Sequence, residues 1–422
     1  MSKIYTIAIL GCGNRGGVYA NFMNKLPDKF KVVALCDTRV DRLEHLRKTI
    51  SITPDNLFTD ENEFLKEKRA DVLIIATWDK DHVRQCLRAM ELGYDILLEK
   101  PISDSAEEVK ALLDMQNKTN CKIAVCHVLR YAPAFKLLDE IIKSGKLGKL
   151  MAIDHTERVT YWHFIQAYIK MHSSWQGKLH PTILAKCCHD LDLIQHYAGS
   201  KCKNVSSVGD RSCFTKENAP KGATEFCLDC PHVETCPYSA KKIYVEKWIK
   251  SGRPDYAWPY YRVTAQNPIT EEALYEGLRT NVFGKCPYFI DLDNDPHVVD
   301  HQLVQMLFKN GVVANLKLIF SATKGRRVVL YGEFAEVVLD ELIGTVEFCP
   351  HGEEKTTYKI SDLTDTNQGH GGGDKGIVND FYKVLTGECT DFTSLEESLE
   401  SHLIGIAAEE SRLNGNKTIT IH

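Results

Sequence analysis

A lysine behind a strand, a glycine-rich turn and a set of cysteines are the positions of this chain whose types and spacing could do chemistry. Lys100 stands in Glu99-Lys100-Pro101, directly after Asp95-Ile-Leu-Leu98, a run that reads as a buried strand. A lysine leaving a strand end between a carboxylate and a proline is held in place. From there it could share a proton with a substrate hydroxyl. Gly11-Cys12-Gly13-Asn14-Arg15-Gly16 has the G-x-G-x-x-G spacing of a dinucleotide turn. The first glycine permits the tight turn, the second lets backbone approach a pyrophosphate, and the third allows close helix–strand packing. Asp37 follows about twenty residues on, where an acidic side chain takes the ribose hydroxyls of an adenosine. Its charge opposes a 2′-phosphate, so NAD is expected over NADP, with Arg39 softening that preference. Cys213, Cys227, Cys230 and Cys236 are spaced C-x13-C-x2-C-x5-C. Thiolates so spaced suit a tetrahedral structural zinc site, with an iron–sulfur cluster as the second option.

These residues need elements to hold them. Tyr5 to Leu10 is a short β-branched and aliphatic run ahead of the glycine turn, and Val18 to Met23 reads as a helix behind it. Lys31–Cys36, Ala70–Ala76, Asp95–Leu98 and Lys122–Cys126 are further buried strands. They alternate with helical patterns such as Asp81–Leu92 and Ser105–Asn117. Strands alternating with helices of this length predict a doubly wound parallel sheet, whose ligands bind beyond the carboxyl ends of the strands. Asp37, Thr77, Lys100 and His127 all lie at such ends. The fold expected is therefore α/β: an N-terminal Rossmann sheet over residues 1–128, then a C-terminal α+β domain over 129–422. Within the second part, Val298–Lys309, Val312–Ser321 and Arg326–Leu339 alternate as antiparallel strands. Asn310-Gly311 marks a hairpin turn, Pro181–Tyr197 reads as a core helix, and residues 211–295 read as a cysteine-rich insertion.

The ordered set of the Gly11 turn, Asp37, Ala76-Thr77 with His82, Glu99-Lys100-Pro101, Arg130-Tyr131-Ala-Pro133 and Lys186-Cys-Cys-His189-Asp190-Leu-Asp192 resembles the glucose–fructose oxidoreductase / inositol dehydrogenase / MocA family. The resemblance covers roughly residues 1–200 closely and the rest more loosely. It implies a large, mostly antiparallel C-terminal sheet, and homodimers or homotetramers associating through it. It also implies oxidation or reduction of a secondary alcohol on a sugar or cyclitol. The family's motif lysine carries over to Lys100 and its motif histidine to His189. Many members have an aspartate four residues before that histidine. Here the position is Ala185, so Lys186 and Asp190 are the charged alternatives. Residues at i and i+3 share a helix face, which lets Lys186 and His189 point into one site.

The expected catalytic group is thus Lys100 and His189 assisted by Lys186. Neutral His189 can accept the hydroxyl proton. Lys100 either serves as a base, if burial or Lys186 lowers its pKa, or stabilises the developing alkoxide as ammonium. Cofactor contacts are expected from Gly11, Gly13, Asn14, Arg15, Gly16, Asp37, Thr77, His82, Glu99, Lys100 and His127. Substrate contacts are expected from Lys100, Arg130, Asp190 and His189, and from Trp162, Trp175, Tyr288 and His301, where aromatic faces suit a sugar. A second reading shares the same site: a glycoside hydrolase using NAD for transient oxidation, elimination and re-reduction.

Composition narrows the partners. A net charge of −5 over 422 residues argues against nucleic acid or an anionic membrane as the main partner. No apolar run is long enough to span a bilayer, and the first residues lack a signal-peptide pattern. The expected location is cytoplasmic, with the 15 cysteines reduced or metal-bound.

Overall fold

The computed structural model describes residues 3–171, 180–292, 295–363 and 369–422. The first sheet is wholly parallel, in the order β3 (Leu57–Phe58), β2 (Phe30–Cys36), β1 (Tyr5–Leu10), β4 (Val72–Ile75), β5 (Asp95–Leu98) and β6 (Ile123–Val125). Its strands are continuous apolar runs because both faces are covered. All four residues of β4 are buried. The strand order reverses beside β1, so the crevice beyond the carboxyl ends of β1 and β4 is the topological switch point.

The second sheet has nine strands, in the order β14 (Thr356–Lys359), β13 (Thr345–Pro350), β12 (Ala335–Asp340), β11 (Gly325–Gly332), β7 (Leu150–Thr160), β10 (Val313–Ser321), β9 (His301–Phe308), β8 (Cys202–Asp210) and β15 (Ile419–Thr420). Every pairing is antiparallel except β7 with β10. The expected mostly antiparallel sheet is therefore present. The stretch Arg326–Leu339 is two strands, β11 and β12, rather than one. Along β10 exposed and buried residues alternate, so one face packs on the core and the other is open. The buried face covers the helix Thr182–Ala198, of whose residues Ile183, Leu184, Cys187, Leu191 and Ile194 are fully buried.

The chain does not divide in space where it divides in sequence. The helix Gly373–Thr386 returns to the first domain, where Ile377, Phe381 and Tyr382 join the core of Tyr5, Phe30 and Ile7. Tyr382 meets Tyr5 and Phe30 edge-on, with ring centroids 6.0 and 5.6 Å apart. Leu395 and Leu399, at the start of the last helix Leu395–Leu413, close the opposite face of the parallel sheet. Two segments late in the sequence thus cover a sheet built from its first third. No helix of the described residues is long and apolar enough to cross a membrane.

Candidate active site

The glycine turn has the shape its sequence demands. Gly11 has φ +94°, and a Cβ there would lie 2.4 Å from the Ala76 carbonyl oxygen. At Gly16 a Cβ would lie 1.9 Å from the Gly11 carbonyl oxygen, so only glycine lets α1 (Asn14–Asn24) sit this close to β1. Gly13 faces open space, and the nearest atom to a Cβ there is Arg42 Nη1 at 3.7 Å. An open backbone ahead of a helix N-terminus fits a dinucleotide pyrophosphate. Asp37 lies beyond β2. Its carboxylate accepts from the Cys12 N–H at 2.8 Å and the Arg39 N–H at 2.9 Å, and Arg42 Nη1 is 3.4 Å away. The Arg39 guanidinium turns away to Asp41, at 2.9 and 2.7 Å.

Beside Lys100, Glu99 joins residues of two helices in a charged circuit. Glu99 accepts from Arg15 Nε at 2.7 Å, from the Tyr19 hydroxyl at 2.6 Å and from the Lys100 N–H at 3.0 Å. Arg15 continues to Asp374 at 2.7 Å. Lys100 Nζ donates to the carbonyl of Ala185 at 3.3 Å, so the lysine touches the helix that carries His189. Burial works against its charge, but the Cys188 sulfur, Glu99 and Asp79 outweigh burial and hold its pKa above the ordinary lysine value. Lys100 is therefore an ammonium.

His189 is the counterpart. Burial, followed by Lys100, His370 and His127, holds its pKa well below the ordinary histidine value. Its Nδ1 is buried without a hydrogen-bond partner among the described residues. After burial, the Lys100 charge is the largest influence keeping this imidazole neutral. His127 lies 6.0 Å from His189, centroid to centroid, and neither of its ring nitrogens is hydrogen-bonded among the described residues. His82 donates Nδ1–H to the Pro101 carbonyl at 2.8 Å, pinning the segment behind Lys100, and Thr77 donates to Gln85 at 2.5 Å.

Other expected site residues stand elsewhere. Lys186 pairs with Glu157 of β7 at 2.8 Å, so it serves the sheet rather than lowering the pKa of Lys100. Asp190 is fully buried, held by His155 Nε2 at 2.7 Å and by Arg326 Nε at 2.7 Å. Arg130 grips Asp192 with two bonds of 2.8 and 2.9 Å and contacts His196 at 2.7 Å. The helix 182–198 is buried on nearly every side, so its charged residues find partners on the sheet and the first domain. Tyr288 packs on Phe214 in the insertion, and His301 is an exposed residue at the start of β9, paired with Asp300 at 2.6 Å. Trp175 lies outside the described residues.

Trp162 does belong to a wall of rings. It stacks beside His163 at 5.7 Å and meets Trp258 at 5.6 Å, with Lys247 Nζ 3.8 Å above it. Burial and then Lys186 push His163 down to about 3, and Lys100 is among the charges acting on it. Trp258 comes from the insertion and was not foreseen. Neither was the reach of Tyr256, which donates to Asp41 at 3.0 Å and stacks on His45 at 4.3 Å, beyond the adenosine end of the turn. The run Tyr256-Ala-Trp-Pro-Tyr-Tyr261 carries the signal that could have found both: four aromatic residues in six, inside an otherwise polar loop.

The four cysteines of the expected thiolate centre are brought together only in part. Cys213 is exposed, with its N–H on Asp300 at 2.7 Å. The fourth thiol around the small cavity lined by Cys227, Cys230 and Cys236 is Cys286. Strand-like pairing of Phe226 with Lys285 brings it there from 50 residues further along the chain. Contact with Cys286 pulls the Cys227 thiol down to about 6. Among the described residues no group of three or more His, Cys, Asp or Glu is arranged to hold a metal ion. The zinc and iron–sulfur expectations therefore gain no support.

Comparison with known proteins identifies the family. Residues 5–127 match the oxidoreductase family with an NAD-binding Rossmann fold, and residues 139–421 match that family's C-terminal alpha/beta domain. The chain belongs to this Gfo/Idh/MocA oxidoreductase family and is an NAD-binding enzyme of it. YteT of Bacillus subtilis, named as an oxidoreductase, is 20% identical over 400 residues, covering 89% of this chain and 88% of its own length. The NAD-dependent scyllo-inositol 2-dehydrogenase of Bacillus subtilis is 27% identical over 211 residues, 48% of this chain and 56% of its own. Among solved structures, myo-inositol 2-dehydrogenase from Lactobacillus plantarum superposes with TM-score 0.66 at 14% identity, covering all of both chains. The WlbA dehydrogenase from Bordetella pertussis, solved with NADH and UDP-GlcNAcA, gives 0.67 at 14% identity, over 100% of this chain and 99% of its own. At such identities the structures attest the fold.

Proposed function

We propose that the protein is a dehydrogenase acting on a secondary hydroxyl of a sugar, cyclitol or glycoside. The observation that carries this reading is that Lys100, just beyond β5 of the parallel sheet, donates to the Ala185 carbonyl of the helix that carries His189, and its charge helps hold that histidine neutral. NAD, when bound, supplies the acceptor for hydride. The Gly11–Gly16 turn and Asp37 would hold it. Losing hydride from a carbinol carbon requires the hydroxyl to give up its proton in the same event. His189 accepts that proton. Lys100 stabilises the oxygen as charge develops on it, and because it is already charged it needs no proton exchange to do so. The rings of Trp162 and Trp258 offer faces on which a sugar ring can stack.

Asp37 supports NAD over NADP, since a 2′-phosphate would approach its carboxylate. The open face of the nine-stranded sheet is the surface we assign to dimer or tetramer formation, which light scattering would measure. All fifteen cysteines are free thiols, in keeping with a reducing, cytoplasmic location. The hydrolytic alternative gains nothing from the relatives above, which are named for oxidoreductase or dehydrogenase activity.

The test is a panel of sugars, cyclitols and glycosides followed at the NADH absorbance, with NADP in parallel. Accumulation of NADH with a polyol, faster with NAD than with NADP, is expected. Cleavage of a p-nitrophenyl glycoside without NADH accumulating would overturn the reading in favour of hydrolysis.

A further inference from the structure

His189 can take a proton from substrate but is a poor place to leave it. It is only 5% exposed, and an imidazolium there would be opposed by burial and by the charges of Lys100 and Arg326. The proton needs an outlet. Two imidazoles flank His189, and they differ in what lies behind them. His127 is completely buried, and its Nε2 is 3.9 Å from Asp192, a carboxylate already gripped by Arg130. Past Asp192 that side runs into the Arg130 guanidinium, which has no site to accept a proton. On the other side stands His370, its ring centroid 5.9 Å from that of His189 and its side chain 37% exposed. One water, or a modest ring rotation, spans that gap.

The chain goes to some trouble to keep His370 there. His370 has φ +50°, in the left-handed region that a non-glycine residue rarely adopts. Gly371 and Gly372 follow at φ +61° and +91°. At Gly373 a Cβ would lie 2.1 Å from the Val128 carbonyl oxygen, so the loop is pressed against the first domain. His370 Nδ1 lies 3.1 and 3.0 Å from the two Asp374 oxygens, and Asp374 is fixed in turn by Arg15 at 2.7 Å. Although burial works the other way, His370 and Arg15 hold the Asp374 carboxyl well below the usual carboxylate range. An ionised carboxylate can only accept, so Nδ1 carries the hydrogen and Nε2 presents a lone pair. The same carboxylate stabilises the imidazolium when Nε2 is protonated, as the aspartate of a Ser-His-Asp triad does for its histidine.

We propose that His370, oriented by Asp374, relays the substrate proton from His189 to solvent. The inference rests on the dehydrogenase reading. The substrate O–H breaks and its proton passes to His189. The carbinol C–H breaks with its electron pair going to the nicotinamide, and C=O forms. The proton then moves from His189 to His370 Nε2 and leaves to water, restoring both neutral rings. The groups facing His370 are Asp374 from the start of the helix that follows it, Arg15 from α1, His189 from the helix 182–198 and Arg326 from β11. Burial is the largest influence and lowers its pKa, and Asp374 opposes that. The relay histidine is therefore neutral and ready to accept above about pH 6.5.

His370→Asn tests the relay, because asparagine tolerates left-handed backbone while losing the titrating ring. We expect NADH formation to fall by about 10²-fold, to recover at least severalfold with added imidazole, and to change its solvent isotope effect. NAD affinity, read by nucleotide fluorescence titration, should stay within about threefold. His127→Asn should show no imidazole rescue. A readout independent of turnover is 15N NMR of histidine in the cofactor-free protein: His370 should be the Nδ1–H tautomer, and Asp374→Asn should shift it. Turnover within twofold of wild type, or loss of turnover without imidazole rescue, would reduce His370 to a structural residue. An Nε2–H tautomer would overturn the relay whatever the substrate. If the wild type makes no NADH on the whole panel, it is the dehydrogenase reading that fails, and the tautomer still decides the relay geometry.

Discussion

Lys100 and His189 divide the proton chemistry between a fixed charge and a neutral base. The sequence allowed Lys100 either role. What decides it is the company it keeps: Glu99 adjoins its backbone, and Asp79 lies within electrostatic reach. Ala185 takes part through its backbone carbonyl, which accepts from Lys100. Alanine offers no side chain for the task, and the contact between lysine and helix is made by backbone alone. Lys100→Ala should lower kcat by about 10²–10³-fold, the range for removing one donor to a developing oxyanion. NAD affinity should stay within a few-fold, and steady-state kinetics with nucleotide titration would show the split. Equal losses in both would make Lys100 a cofactor contact. Asp37→Ser should narrow the preference for NAD over NADP about tenfold, through the lost ribose contact and the lost repulsion of a 2′-phosphate. An unchanged ratio of kcat/KM values would show that Asp37 acts only on the Cys12 turn.

The helix 182–198 shows where sequence periodicity stops being informative. Lys186 and His189 are three apart and could share a face, yet Lys186 turns to Glu157 and His189 lies between His127 and His370. Thirteen of the helix's residues are buried, so it has no polar face to read. Its charged side chains are placed by Glu157 and Arg326, partners about 30 and 140 residues away. The glycine turn and the parallel strands were legible because their constraints are local: a tight turn, a run of β-branched residues, a helix start. Cys286 and the aromatic stretch 256–261 were not, since each acts through a distant segment. The buried network around Asp190 belongs to this scale. Asp190→Ala leaves the Arg326 guanidinium with one carboxylate, Glu157, at 2.9 Å. It should cost about 3–5 kcal/mol of stability, read as a drop in denaturant midpoint. Full stability with lost turnover would return Asp190 to the substrate site.

At the scale of the molecule, the candidate site is built from four stretches of sequence: the first domain, the helix 182–198, the insertion and the loop at 369–374. The insertion leans on the first domain through Tyr256, on Asp41 and His45, and Tyr261 stacks on Tyr256 with centroids 4.9 Å apart. Tyr256→Ala should raise the KM for NAD about five- to tenfold with little change in Tm, because it frees a strap rather than opening a core. A large fall in Tm with an unchanged KM would mean that the insertion serves folding alone.

The division of labour at the site is tested most directly by the pH dependence of kcat/KM, which reports the ionisations of the free enzyme. His189 is held below the ordinary histidine pKa and Lys100 above the ordinary lysine value. As pH rises, the base becomes competent below about 6.5, and the cation is not lost until beyond about 10.4. The account predicts a flat profile between those limits, with the acidic limb abolished in His189→Asn and retained, at lower rate, in Lys100→Ala. A limb between pH 7 and 9 that disappears with Lys100→Ala would contradict it, because it would make the lysine the base.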